Sequence, residues 1–172
     1  MILMLLVTSI IIRFIKNHRM VYIDTLTGIY NRNKCEYLFS KFENDYTKDV
    51  VIISIDLNDF KYIYDTYGHQ VGDKALCTFI DILKNYFPRE TFIGRMGGDE
   101  FIVVLENISE YRINLMLDNM YNGIKEYNEK SLEKFKLSAA YGYAIRKKGK
   151  KVSIKDIYKK ADENMYSNKY GR

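Results

Sequence analysis

Arg95-Met96-Gly97-Gly98-Asp99-Glu100-Phe101 lies between two short apolar, β-prone runs, Thr91-Phe92-Ile93-Gly94 before it and Phe101-Ile102-Val103-Val104-Leu105 after it. Two such runs joined by Gly-Gly predict a tight hairpin, because paired glycines tolerate the positive φ angles of hairpin turns. A hairpin alone has no need of adjacent carboxylates, Asp99 and Glu100, at the mouth of a buried strand. Side by side they repel each other and lose solvation unless positive charge sits between them. Either a divalent metal occupies that position with a phosphate behind it, or the turn is simply exposed and acidic.

The 172 residues suffice for one domain with a proper core, and 47% hydrophobic with 28% charged residues excludes a disordered chain. Cys35 and Cys77 lie in helix-like stretches without metal spacing and read as small buried hydrophobes in a reducing compartment. The net charge of +5 is concentrated in Arg13, Lys16 and Arg19 and in Arg146, Lys147, Lys148, Lys150 and Lys151. The second cluster surrounds Gly149 and reads as a solvated loop. It lacks the stacking aromatics of a nucleic-acid groove, so no nucleic-acid partner is expected.

Residues 1–12 are apolar except for Thr8 and Ser9, shorter than the about 20 residues a full span needs. Positive charge follows this run instead of preceding it, unlike a cleavable signal. Residues 1–20 are therefore either the tail of a membrane helix with its basic end in the cytoplasm, or an amphipathic helix on a partner or a membrane surface. Membrane association is the expected outcome, with the domain of residues 21–172 on the cytoplasmic side.

Asp24-Thr25-Leu26-Thr27-Gly28 is a turn, and Asn31 or Asn33 can cap a helix carrying Cys35, Leu38, Phe39 and Phe42 on one face. Asp24 and Arg32 can form a local ion pair. Val50-Val51-Ile52-Ile53-Ser54-Ile55 is a buried strand ending at Asp56. Turn chemistry is expected over residues 65–73, followed by a helix over 75–86, with His69 in a structural role. A helix capped near Ser109 should turn Ile113, Leu117, Met120, Tyr121 and Ile124 inward. Residues 137–145 read as a strand, and a last helix starts near Ser153. This order is an α/β sandwich with a mixed sheet and an antiparallel hairpin.

Five stretches in this order resemble the GGDEF domains of diguanylate cyclases. They are Asp24-Thr25-Leu26-Thr27-Gly28 with Asn31-Arg32, then Asp56-Leu57-Asn58-Asp59-Phe60-Lys61, Gly68-His69 with Gly72-Asp73, the Arg95–Phe101 hairpin, and Ala161-Asp162 through Met165-Tyr166 and Lys169 to Gly171-Arg172. The resemblance covers residues 24–172. It implies a palm-like mixed sheet with flanking helices, similar to class III nucleotide cyclase catalytic domains.

The implied chemistry is condensation of two GTP into cyclic di-GMP and two pyrophosphates by a two-fold homodimer with Mg²⁺, Mn²⁺ being a substitute. By resemblance, Asp56, Asp99 and the Leu57 carbonyl bind metal, and Glu100 is a further ligand or activates the 3′-hydroxyl. Gly97 and Gly98 leave room for the triphosphate. Lys61, Lys169 and Arg172 neutralise phosphates, while the backbone at Asp59 and Phe60 donates N–H groups to them. Asp73 accepts from the guanine edge. Tyr64 stands where the family usually has a guanine-reading asparagine, which brings altered base selectivity or a catalytically weak nucleotide-binding module into view. The family's inhibitory product site takes an arginine and an aspartate where this sequence has Pro88 and Thr91, so no feedback through that site is expected.

Overall fold

The computed structural model describes Met4, Val7, Thr8 and residues 21–170. Met4, Val7 and Thr8 are helical and exposed; the expected 1–20 segment otherwise lies outside the described residues, as does Arg172. Among the described residues no helix is long and apolar enough to cross a membrane.

The chain order is α1 (Arg32–Glu43), β1 (Val50–Leu57), α2 (Phe60–Tyr67), α3 (His69–Tyr86), β2 (Phe92–Gly97), β3 (Glu100–Glu106), α4 (Glu110–Lys130), β4 (Ala139–Arg146) and α5 (Ile154–Tyr170). The four strands form one sheet in the order β2-β3-β1-β4, each neighbouring pair antiparallel. Among the described residues, parallel pairing enters at one bridge, between Tyr30 and Gly94. The result is the α/β sandwich with flanking helices that the pattern of runs predicts.

The central strands are apolar along their length because both faces are covered, and alternate residues serve opposite layers. Val51, Ile53, Ile55 and Leu57 of β1, with Phe101, Val103 and Leu105 of β3, pack against Leu76, Phe79 and Ile80 of α3 and Ile113, Leu117 and Met120 of α4. Val50 and Ile52, with Ile102 and Val104, face Cys35 and Phe39 of α1 and Ile154, Ile157 and Ala161 of α5. Each fully buried Ile, Val, Leu or Phe contributes roughly 1.5–3 kcal/mol relative to exposure. Β1 and β3 are thus the most firmly held elements, and their ends inherit that rigidity.

The helix starts follow local chemistry. Asn31 accepts the Lys34 N–H at 3.2 Å, and Ser109 accepts that of Arg112 at 3.4 Å. Cys35 is fully buried, and burial pushes its thiol up to about 12.

Three local expectations change. The turn expected over residues 65–73 contracts to Gly68, with φ +83°, and α3 already begins at His69. Gly72 is helical and small because the ring of Tyr64 lies on it; a Cβ there would meet Tyr64 Cδ2 at 2.2 Å. Tyr121 points to solvent instead of the core. Arg146 leaves the solvated basic cluster altogether: it is 1% exposed, donates to the Asp45 carbonyl at 2.7 Å and stacks on Tyr46. A guanidinium buries here because backbone carbonyls and an aromatic face replace part of its water.

Candidate active site at the β1–β3 end

The antiparallel register sets Asp56, near the end of β1, directly opposite Glu100, the first residue of β3. The Leu57 N–H donates to the Asp99 carbonyl at 3.2 Å and ties the strand end to the hairpin turn. Between β2 and β3 the register shifts at Arg95/Gly97, and Gly98 takes φ +43°, a left-handed conformation that glycine adopts without strain. The two carboxylates flagged at the turn and the acid at the strand end therefore meet at one end of the two central strands.

Their charges are incompletely balanced. Burial pushes the Asp99 carboxyl up and the nearby Asp56 charge adds to this, while its own backbone hydrogen bond, Lys169 and Arg95 only partly oppose it. Burial also raises Glu100, helped by the charges of Asp162, Asp56 and Asp99 and opposed by Arg32. Asp162 of α5 was not among the expected site residues; it accepts from the Ser54 hydroxyl at 3.1 Å. Only its place in the α5 stretch pointed toward it. From the same helix, Lys169 Nζ reaches Asp56 Oδ1 at 2.5 Å.

An excess of hard oxygen donors with too little positive charge suits Mg²⁺, which uses one or two carboxylates and leaves other positions to water and phosphate. Among the described residues no three His, Cys, Asp or Glu side chains close into a cage.

Directly after β1, Asp59 turns left-handed at φ 55° and starts α2 without a side-chain cap. The first-turn N–H groups of α2, from Phe60 and Lys61 onward, have no intrahelical acceptors, and the helix dipole favours anions there. Phe60 is half-buried and Lys61 exposed. Gly97 and Gly98 are exposed at the hairpin tip. These features surround the acids with groups suited to phosphate.

The positions expected to read the base lie on the two helices beyond. Tyr64 of α2 is edge-on to His69, with ring centroids 4.3 Å apart at 85°, and packs on Gly72. Asp73, the next residue of α3, is half-buried. His69 thus has a packing role, as expected.

Asp24 pairs with Arg95 and not with Arg32. Arg95 Nη1 lies 3.2 Å from Asp24 Oδ1, and Arg95 Nε donates to the Gly98 carbonyl at 2.8 Å. Asp24 Oδ1 also accepts from the Thr27 N–H and hydroxyl. Burial pushes Asp24 up, but the Thr27 hydrogen bonds and the Arg95 charge outweigh it and hold the carboxyl below its ordinary value. Arg95 is therefore a positioning residue for the hairpin. Seventy-one positions separate it from Asp24, and no periodicity signals such a pairing.

The family model for the diguanylate cyclase, GGDEF domain matches residues 21–172. An uncharacterized membrane protein of Staphylococcus haemolyticus is 30% identical over 148 residues, which is 83% of this chain and 42% of that protein. The chain thus spans about two fifths of the length of the curated relatives it matches. Among solved structures, the coiled coil and GGDEF domain of DgcB from Caulobacter crescentus, in complex with c-di-GMP, superposes with TM-score 0.86 at 20% identity, covering 96% of this chain and 89% of that one. The active GGEEF domain of a diguanylate cyclase from Vibrio cholerae superposes with TM-score 0.71 at 28% identity, covering 82% and 91%.

Proposed function

Because the chain belongs to the GGDEF diguanylate cyclase family, we propose that it condenses two GTP into cyclic di-GMP and two pyrophosphates as a two-fold dimer. The observation that supports this most directly is the register pairing of Asp56 with Glu100, with Asp99 at the adjoining turn. In the reaction each 3′-hydroxyl oxygen bonds to the α-phosphorus of the other nucleotide. The bond from that phosphorus to the β-phosphate bridging oxygen breaks, and pyrophosphate leaves with the electron pair. Such transfer depends mainly on positioning and charge neutralisation.

Asp56, Asp99 and the Leu57 carbonyl would hold Mg²⁺ or Mn²⁺, with Glu100 as a further ligand. A bound ion would supply charge neutralisation on the reacting phosphate and the leaving group. In the alternative role Glu100 accepts the 3′-hydroxyl proton. The Asp59–Phe60 backbone, Lys61, Lys169 and Arg172 bind phosphate oxygens, Gly97 and Gly98 let the triphosphate lie against backbone, and Asp73 accepts from guanine. Each subunit holds one GTP, so two copies must face each other for chemistry. The names of the curated relatives support membrane association, and this domain would lie on the cytoplasmic side.

The deciding experiment incubates the purified protein with GTP and Mg²⁺ and measures product mass. Cyclic di-GMP should form, and Asp99→Asn or Glu100→Gln should lower its rate by about 10²-fold or more, the usual scale for losing a group that stabilises transition-state charge. GTP binding without product in the unaltered protein would make this a nucleotide-binding signalling module instead.

Tyr64 supports a second reading, altered base selectivity. An asparagine amide both donates and accepts, whereas this ring is packed between His69 and Gly72 and carries one hydroxyl. Competition of ATP against GTP tests it: a GTP preference equal to that of Tyr64→Asn would rule the reading out.

A further inference from the structure

Helix α5 carries Lys169 in its last turn, and beyond Met165 none of its described residues is buried. A helix end frays unless something ties it down. The place of the Lys169 ammonium, 2.5 Å from Asp56 Oδ1, therefore needs a cause other than core packing.

Strand β4 supplies that cause. The Leu57 N–H donates toward the hairpin and the Asn58 N–H toward the Ser138 carbonyl at 2.8 Å, so hydrogen bonds along β1 alternate between its two neighbours. Asp56, Ser54 and Ile52 consequently bond toward Ala140, Gly142 and Ala144, and Tyr141 and Tyr143 turn their carbonyls to the outer edge of the sheet. There Asn168 Nδ2 donates to the Tyr141 carbonyl and Asn164 Nδ2 to that of Tyr143, each at 2.9 Å. Amides four residues apart on a helix are separated by about 6 Å and alternate strand carbonyls by about 6.6 Å, so one register satisfies both bonds. Gly142 lies between the two carbonyls, where a Cβ would stand 2.1 Å from the Met165 nitrogen; helix and strand backbones touch at that point. Toward β1, the Ser54 hydroxyl reaches both Asp162 and Met165. The ladder ends beside Ala140, the register partner of Asp56, and Lys169 follows Asn168 directly. A slip of one rung would carry the ammonium about 6 Å from that carboxylate.

We propose that Asn164 and Asn168 are positioning residues: their amides lock α5 in register on β4 and so hold the Lys169 ammonium at Asp56, on the phosphate side of the site. The contribution to triphosphate affinity rests on the cyclase reading; the register lock does not.

The test compares the whole protein with Asn168→Leu, with Asn164→Leu and Asn168→Leu combined, and with Asn168→Gln, which keeps an amide donor. Trace acetylation by acetic anhydride, read by mass spectrometry, compares Lys169 with the exposed Lys159 of the same helix in nucleotide-free protein. Lys169 should react about fivefold faster in Asn168→Leu, the equivalent of one neutral hydrogen bond, and about tenfold or more faster in the double variant. Asn168→Gln should stay within about twofold of the unaltered protein. Equilibrium dialysis should show GTP binding weakened by the same factors. In a Lys169→Met background Asn168→Leu should cost nothing further, because the amide acts through the ammonium. The thermal midpoint reports folding, and Asn168→Ala serves if the double variant does not fold. Unchanged acetylation in folded variants, no difference between Asn168→Gln and Asn168→Leu, or a loss of GTP binding that persists in the Lys169→Met background would overturn the proposal. Failure of the unaltered protein to bind GTP would instead overturn the cyclase reading and the affinity claim with it, while the acetylation rates still decide the lock.

Discussion

Lys169 Nζ lies 2.5 Å from Asp56 Oδ1, so an ammonium at the end of α5 occupies the carboxylate that the proposed metal would use. Both side chains are largely buried, where a charge-assisted hydrogen bond is stronger than at the surface. On the proposed function, a metal held through Asp56 Oδ1 would compete with that ammonium, which would then be available to phosphate. Lys169→Met should therefore tighten Mn²⁺ binding to the nucleotide-free protein by about tenfold while weakening GTP by a similar factor, one charged hydrogen bond in each direction. Electron paramagnetic resonance of free Mn²⁺ and equilibrium dialysis of GTP check the two halves separately.

Asp99 and Glu100 are raised by burial and by neighbouring carboxylates. A raised acid binds its proton more tightly in the folded than in the unfolded state. Its stability contribution is full below the unfolded pKa and is lost as pH rises through the higher folded pKa, leaving a cost at neutral pH. In metal-free protein at pH 7, Glu100→Gln should accordingly raise the thermal midpoint, though by no more than about 2 °C because the side chain is exposed and solvent screens much of the repulsion. The gain should vanish when the melts are repeated below the unfolded pKa. A lower midpoint at pH 7 would contradict the electrostatic account.

Asp24 behaves in the opposite sense. Its carboxyl is held low by Thr27 and Arg95 against burial, so its stabilisation is present above the unfolded pKa and is lost as pH falls through the folded one. Asp24→Asn should cost about 1–3 kcal/mol at pH 7, the range for a hydrogen-bonded charge, and flatten the acid limb of stability. Urea denaturation at pH 7 and at pH 3 measures both.

Gly72→Ala should destabilise by about 1–3 kcal/mol, because a Cβ there would stand 2.2 Å from Tyr64 Cδ2. In a Tyr64→Asn background most of that cost should disappear, and a double-mutant cycle on denaturation midpoints would display the coupling. Additive effects would mean that the ring moves away freely.

What the sequence carries most plainly is what repeats locally. The unbroken Val50–Ile55 run, the hairpin acids and the caps at Asn31 and Ser109 are stated by neighbouring residues, and they stand where the pattern puts them. Pairings across the chain are silent until the fold closes. Asp24 finds Arg95 and not Arg32 because the 24–30 turn docks along β2, and Asp162 faces Glu100 because α5 lies over β1. Arg146 looks like one more cation of a basic loop, yet its side chain turns inward toward Tyr46. Gly72 misled for a related reason: a glycine serving a close contact has the same letter as a glycine serving a turn.

Asp56 and Glu100 stand on β1 and β3 with Asp99 at the adjoining turn, whereas Tyr64 and Asp73 stand on α2 and α3, on either side of Gly68. A slip of one residue in the sheet would turn the acids to the wrong face and break both core layers at once, so selection holds that half rigid. The helical half bears no such double burden. On the proposed function, substitutions there would change which nucleotide is chosen while the phosphate chemistry stays as it was. A lineage could thus revise its substrate vocabulary without relearning its reaction, and Tyr64 is where such a revision would be written first.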